Sequence, residues 1–298
     1  MMKKWSVLIL LGSFLSGSVY SQKSILPDFY ADPSAHAWDG QFWIYASHDI
    51  PGSKDWNMVD WHCFSSTDLV HWTDHGVIFS LADLRWAKQW AWAADCIKHN
   101  GKYYFYFTAD EQIGVATSDS PSGPFQDALG RPLIGKGEAG TRAMDPAVFI
   151  DDDGQAYLYF GQNGLRVVKL GEDMTTRNGE IVKLKARYFH EGVWVHKKDG
   201  NYYLSYTSSR GDNVANLLEY SMGKTPFGPF AHKGVILDNR SRNVQGSIVQ
   251  FGKQWYLFYH VQGPSPYERR VCSEYLYCNP DGTIRPIRMT REGTVLIR

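Results

Sequence analysis

The sequence predicts an all-β fold, a five-bladed β-propeller in a single domain. Three observations carry this. Five aromatic-rich hairpin segments recur in order along the chain. Each hairpin turn ends in a glycine, and Gly40, Gly101, Gly154, Gly200 and Gly252 follow one another at 61, 53, 46 and 52 residues, near the roughly 40 to 50 residues of one four-stranded blade. No segment shows the sustained 3.6-residue period of a long helix.

The hairpins are DPSAHAWDGQFWIYASHD from Asp32, WAADCIKHNGKYYFYFTAD from Trp92, DPAVFIDDDGQAYLYFGQN from Asp145, EGVWVHKKDGNYYLSYTSS from Glu191 and QGSIVQFGKQWYLFYHVQ from Gln245. Each joins a short apolar strand to a strand of alternating aromatic and small residues, the pattern of a ribbon packed between neighbouring blades. FSSTDLVHW, VATSDSPSGPF and EYSMGKTPFGPF follow three of the hairpins and read as a third strand, a polar turn and an outer strand. A segment at one chain terminus, just after residue 21 or around Thr294 to Arg298, is expected to close the ring.

Residues 1–21 read as a secretory signal peptide. Lys3 and Lys4 precede the apolar run Trp5 to Leu15, and small residues around Ser21 offer a cleavage site. The run is shorter than the roughly 18 apolar residues of a spanning helix. The expected product is a single domain, residues 22–298, secreted or periplasmic. With 31 basic and 31 acidic residues and no long run of one sign, nucleic acid and anionic membrane are poor partners and a neutral ligand fits better. A monomer is expected. Cys63, Cys96, Cys272 and Cys278 lack the CxxC spacing of a zinc or redox site and are assigned no pairing.

The inner strands of a propeller run beside its axis, so residues at equivalent strand starts converge across long sequence separations. The repeat places Asp32, a residue near Asp95, Asp145, Glu191 and Gln245 at those starts. Acidic residues beside apolar strands are costly to bury without a task or a partner. Turn initiation at Asp32-Pro33 or Asp145-Pro146 accounts for either pair alone; their common register with Glu191 points to a functional cluster. Clustered carboxylates suit glycoside hydrolysis, in which one acid protonates the leaving oxygen while another carboxylate acts on the opposite face of the sugar. The residues alone do not divide these roles.

FYADPSA around Asp32, WAADC around Trp92, MDPAVFIDDDGQAYLYFG around Asp145 and EGVWVHKKDGNYYLSYT around Glu191 resemble glycoside hydrolase family 43 over essentially the whole mature chain. The resemblance implies an inverting hydrolase with Asp32 as general base, Glu191 as general acid and Asp145 tuning and positioning the acid. It implies a substrate containing arabinose or xylose. MVDWHCFSSTDLVHWTDHG with RWAKQWAWAADC looks most like members that remove α-L-arabinofuranosyl side chains from plant polysaccharides. A β-D-xylosidase with the same triad, a non-catalytic carbohydrate-binding propeller and a fructan-active relative are the alternatives.

Trp92 matches an aromatic often beside the sugar in that family, with core packing as its bland reading. Phe29 adjoins the base motif and His48 a strand end; Arg269 and Arg270 follow a Gly/Pro-rich loop. All are candidates for substrate contact. His62 and His260 are weaker ones. No cofactor is expected to be required. Many members of the family hold a channel cation through a fifth-blade histidine, and here NVQGSIV puts Gln245 in that place, which counts against such an ion. Asp151-Asp152-Asp153-Gly154 lacks the acids of a calcium loop at Phe149 and Phe160 and reads as a hairpin turn.

Overall fold

The computed structural model describes residues 23–211, 216–239 and 241–296; the expected signal peptide lies outside the described residues. Five antiparallel sheets follow in chain order. Blade one holds β1 (Tyr30–Trp38), β2 (Gln41–His48), β3 (Asp60–Ser66) and β4 (Thr73–Ser80). Blade two holds β5 (Trp92–His99), β6 (Lys102–Ala109), β7 (Gln112–Ser118) and β8 (Gln126–Asp127). Blade three holds β9 (Ala147–Ile150), β10 (Ala156–Phe160), β11 (Arg166–Lys169) and β12 (Val182–Lys183). Blade four holds β13 (Phe189–Lys198), β14 (Asn201–Ser208), β15 (Leu217–Gly223) and β16 (Ala231–Leu237). Blade five holds β17 (Gly246–Phe251), β18 (Gln254–Gln262) and β19 (Arg269–Leu276). The expected five-bladed, all-β architecture is borne out.

The first strand of each blade is the innermost. β1 contacts β5 and β17, β9 contacts β5 and β13, and β13 contacts β17, which closes the ring. Side chains and backbone lace it. Ser247 Oγ accepts from Ala35 N at 2.9 Å, Ser34 Oγ donates to Asp95 Oδ1 at 2.5 Å, and Asp95 Oδ2 accepts from Val148 N at 2.6 Å. Trp194 Nε1 donates to Ile248 O at 3.0 Å. Between blades the alternating aromatics of the second strands fill the space, among them the fully buried Tyr45, Tyr106, Tyr159, Tyr206 and Tyr259, each a large contribution to apolar burial.

Among the described residues blade five has three strands, and segments near residues 25 and 295 bond to its outer strand. Ile25 N donates to Val271 O of β19 at 2.9 Å, Tyr275 Oη donates to Val295 O at 2.9 Å, and Lys23 N donates to Arg291 O at 3.2 Å. All four cysteines are free. Asp151 to Gly154 forms a turn, with Gly154 N donating to Asp151 O at 2.9 Å.

Candidate active site

A cavity of about 250 Å³ opens at the end of the axis where the first strands begin, and Asp32, Asp145 and Glu191 all line it. They are 5%, 3% and 8% exposed. Asp32 and Asp145 have φ of 52° and 54°, the left-handed region that aspartate tolerates better than most residues.

The third acid departs from the expected register by one residue. Ala31 pairs with Ser47, Trp92 with Thr108 and Glu191 with Thr207, so Glu191 is equivalent to Ala31 and Trp92. The counterpart of Asp32 is Gly192, with φ of 63°. A Cβ on Gly192 would lie 3.0 Å from Thr207 Oγ1 and 3.1 Å from Gln245 Cγ, so a side chain at this left-handed position would press on both neighbours. The preceding residue supplies the acid instead. Gly192 N donates to Asp145 Oδ2 at 2.9 Å and ties the two acidic strand starts together. In blade two the equivalent of Asp32 is Ala93, and Asp95 lies two residues deeper, inside the channel.

The carboxylates have different neighbours. Asp32 Oδ1 accepts from Arg269 Nη1 at 2.8 Å and Oδ2 from Ser47 Oγ at 2.9 Å. Arg269 forks at its other face onto Asp49, with Nε 2.9 Å from Oδ2 and Nη2 2.8 Å from Oδ1. Burial opposes its charge, but Asp32 and Asp49 outweigh burial and raise its pKa further. Asp32 N donates to His260 Nδ1 at 3.1 Å, so that nitrogen carries no proton, and Nε2 donates to Asn243 O at 3.2 Å. Burial and then Arg269 hold the His260 pKa well below the usual imidazole range, in keeping with this neutral tautomer.

Two side-chain amides bond Glu191, and His190 Nε2 lies 3.6 Å from its Oε2. Gln162 Nε2 donates to Oε2 at 2.6 Å and Asn243 Nδ2 to Oε1 at 2.7 Å. Asp145 is pushed well above the usual carboxylate range by burial, then by the charges of Glu191 and Asp32; the Gly192 N–H and Arg269 offset only part of this.

Of the other residues proposed from sequence, Trp92 and Arg269 line the cavity. Trp92 stacks on Trp90 at 5.1 Å, and its Nε1 donates to Trp56 O at 2.7 Å. Phe29 and Arg270 pair with each other instead, the guanidinium 5.0 Å from the ring centroid. His48 is bonded to Asp60. The sequence does not single out Gln162, Asn243, Asp49 or Trp56. Gln162 was within its reach, because it follows Gly161 at the end of the third hairpin, one step past the positions of Ser47 and Thr108.

The metal reading needs correction. Among the described residues, the group with the donors and spacing to hold a metal ion is His48, Asp60 and His62 in blade one, not the fifth-blade position of Gln245. Gln245 packs over Gly192 and lines the cavity. Asp95, inside the channel, accepts from Ser34 and from Val148 N and meets His36 Nε2 at 2.7 Å. The repeat could not show the blade-one cluster, because its members flank a loop peculiar to that blade.

A family model for glycosyl hydrolases family 43 matches residues 21–294. The chain is 36% identical over 296 residues to a xylosidase/arabinosidase of Bacteroides ovatus, covering 80% of this chain and 87% of the relative. It is 32% identical over 375 residues to an arabinoxylan arabinofuranohydrolase of Bacillus subtilis, covering 100% of this chain and 73% of the relative. A solved α-L-arabinofuranosidase from Clostridium thermocellum is 40% identical with a TM-score of 0.78, covering 88% of this chain and 95% of that one. A β-xylosidase/α-arabinofuranosidase from a compost metagenome is 34% identical with a TM-score of 0.81, covering 89% of this chain and 97% of that one. With this fold and these relatives, the chain belongs to glycosyl hydrolases family 43 and is an inverting glycoside hydrolase acting on O-glycosidic bonds.

Proposed function

We propose that the protein is an exo-acting α-L-arabinofuranosidase that trims arabinose side chains from plant polysaccharide, with Asp32 as general base and Glu191 as general acid. The observation that carries the division of labour is the contrast between the two carboxylates. Asp32 is ion-paired with a guanidinium, which favours a charged base. Glu191 is bonded by the side-chain amides of Gln162 and Asn243 and lacks the guanidinium counter-charge that Asp32 has. In the reaction Glu191 passes its proton to the glycosidic oxygen as the bond from that oxygen to the anomeric carbon breaks. Asp32 takes a proton from the water whose oxygen attacks that carbon from the opposite face, so the configuration inverts. Asp145 bonds Gly192 N and positions the strand start that carries Glu191.

The cavity, at about 250 Å³, lies below the roughly 300 to 1,000 Å³ of sites for drug-sized ligands, which supports a terminal sugar over an internal stretch of polymer. Trp92 and Trp56 supply apolar walls and Arg142 and Asn243 polar ones. The names of the relatives include both arabinose- and xylose-releasing activities. Hydrolysis of nitrophenyl α-L-arabinofuranoside and β-D-xyloside separates these: faster release from the arabinofuranoside is expected, and faster release from the xyloside overturns the assignment. Proton NMR of the first-formed product reads the anomer.

The signal-like N-terminus supports export. N-terminal sequencing of the mature protein is expected to begin near Gln22.

A further inference from the structure

We propose that His48, Asp60 and His62 bind one transition-metal ion of the zinc class, clipping together the two ends of the loop from residue 49 to residue 59. His48 is the last residue of β2, and Asp60 and His62 open β3, paired beside it through Ala46 with His62 and Ser47 with Trp61. The strands therefore bring the three side chains to one place whatever the loop does.

The geometry fits a small ion. His48 Nδ1 lies 2.8 Å and His62 Nε2 3.8 Å from Asp60 Oδ1, and one ligand atom from each residue falls within 4.8 Å of the others. Ligands about 2.0 to 2.2 Å from a tetrahedral Zn²⁺ stand roughly 3.3 Å apart, so the two carboxylate distances bracket the required spacing. His48 and Asp60 side chains keep 25% and 18% of their surface exposed, which leaves an entry path and room for a water as fourth ligand.

A second observation points to a ligand. His62 is 9% exposed, and its Nε2 is buried with no hydrogen-bond partner, a costly state for a ring nitrogen. Its Nδ1 meets the Tyr30 hydroxyl at 3.0 Å. With the Nδ1 proton donated to the Tyr30 oxygen, the free lone pair sits on Nε2, as in metal-bound histidines whose other nitrogen is fixed by an outer partner. Asp74 Oδ1, 3.7 Å from His62 Nδ1, adds negative charge behind the ring. Two imidazoles and one carboxylate suit Zn²⁺, Ni²⁺ or Cu²⁺; Ca²⁺ would want six to eight oxygens.

The clip acts on the wall of the catalytic cavity. The loop it closes carries Trp56 and Met58 into that cavity, and Asp49, directly after His48, anchors Arg269.

Calorimetric titration of the metal-stripped, full-length protein with ZnCl₂ tests the site. One Zn²⁺ per chain is expected, with a rise in Tm, and Co²⁺ in its place should give the visible bands of a four-coordinate ion. His62→Asn and Asp60→Asn should each abolish this uptake while circular dichroism shows a folded chain. Tyr30→Phe should weaken it about tenfold and serves as the readout if the ligand variants misfold. Glu191→Gln should leave it intact, which separates this site from the carboxylates of the cavity. No Zn²⁺ uptake by the wild type, uptake unchanged in the ligand variants and in Tyr30→Phe, or uptake lost in Glu191→Gln would overturn the proposal.

Discussion

Arg269 Nη1 lies 2.8 Å from Asp32 Oδ1, across 237 positions of sequence, and both residues are more than nine-tenths buried. The same guanidinium grips Asp49, which is fully buried. One cation therefore compensates two carboxylates.

Removing that cation leaves both carboxylates buried without a counter-charge. Arg269→Met is expected to cost about 3 to 5 kcal/mol of stability, read as a lower midpoint in urea unfolding. Arg269→Lys should recover part of this, yet stay poorly active, because an ammonium cannot fork onto Asp49 and reach Asp32 together. A near-neutral Arg269→Met would show that the ion pairs are dispensable for folding.

Asp145 behaves in the opposite sense. Its folded pKa is raised above 3.8 by burial and by its acidic neighbours, so between that value and the folded one the native state binds more protons than the unfolded chain. Stability then falls as pH rises through that window. Asp145→Asn removes the penalty and still offers an oxygen to Gly192 N. It is expected to raise Tm at neutral pH, by an increment that vanishes as pH approaches 3.8, while turnover falls. An increment that does not change with pH contradicts this.

The roles proposed for Glu191 and Asp32 separate by leaving group. Glu191→Gln should lower kcat by about 10²- to 10⁴-fold on a natural oligosaccharide and by much less on an aryl glycoside whose leaving group departs without a proton. Asp32→Asn should impair both substrates alike, because water must be activated in either case. Equal losses in the two variants across a leaving-group series would reverse or erase the assignment.

Gly192 sits close against Thr207 and Gln245. Gly192→Ala forces a side chain into the left-handed region at about 1 to 2 kcal/mol and presses it against Thr207 and Gln245. The expected result is lower stability together with reduced kcat, since Gly192 N links Asp145 to the strand of Glu191. Wild-type kinetics in this variant would detach that link from catalysis.

The blades were legible because glycine turns and alternating aromatics are local signals, and the carboxylates because aspartate before proline marks a strand start. The one-residue offset of Glu191 was not legible. It depends on which residue takes positive φ, and EG and DP look interchangeable in an alignment of apolar strands. Arg269 was singled out for contact with sugar, but its partners Asp32, on β1, and Asp49, just after β2, reach it only when the ring closes. Phe29 and Arg270 looked equally placed beside the motifs, yet they satisfy each other. His48 belongs with Asp60 and His62 because β2 and β3 are neighbours, a pairing hidden by the long loop between them.

The dependence of Asp32 on a guanidinium 237 positions later also has a temporal side. During synthesis the residue proposed as base emerges early, and its counter-charge only with the fifth blade. A nascent or truncated chain lacking that blade holds Asp32 without the arginine that orients it, so a chain ending before Arg269 is expected to show no hydrolytic activity.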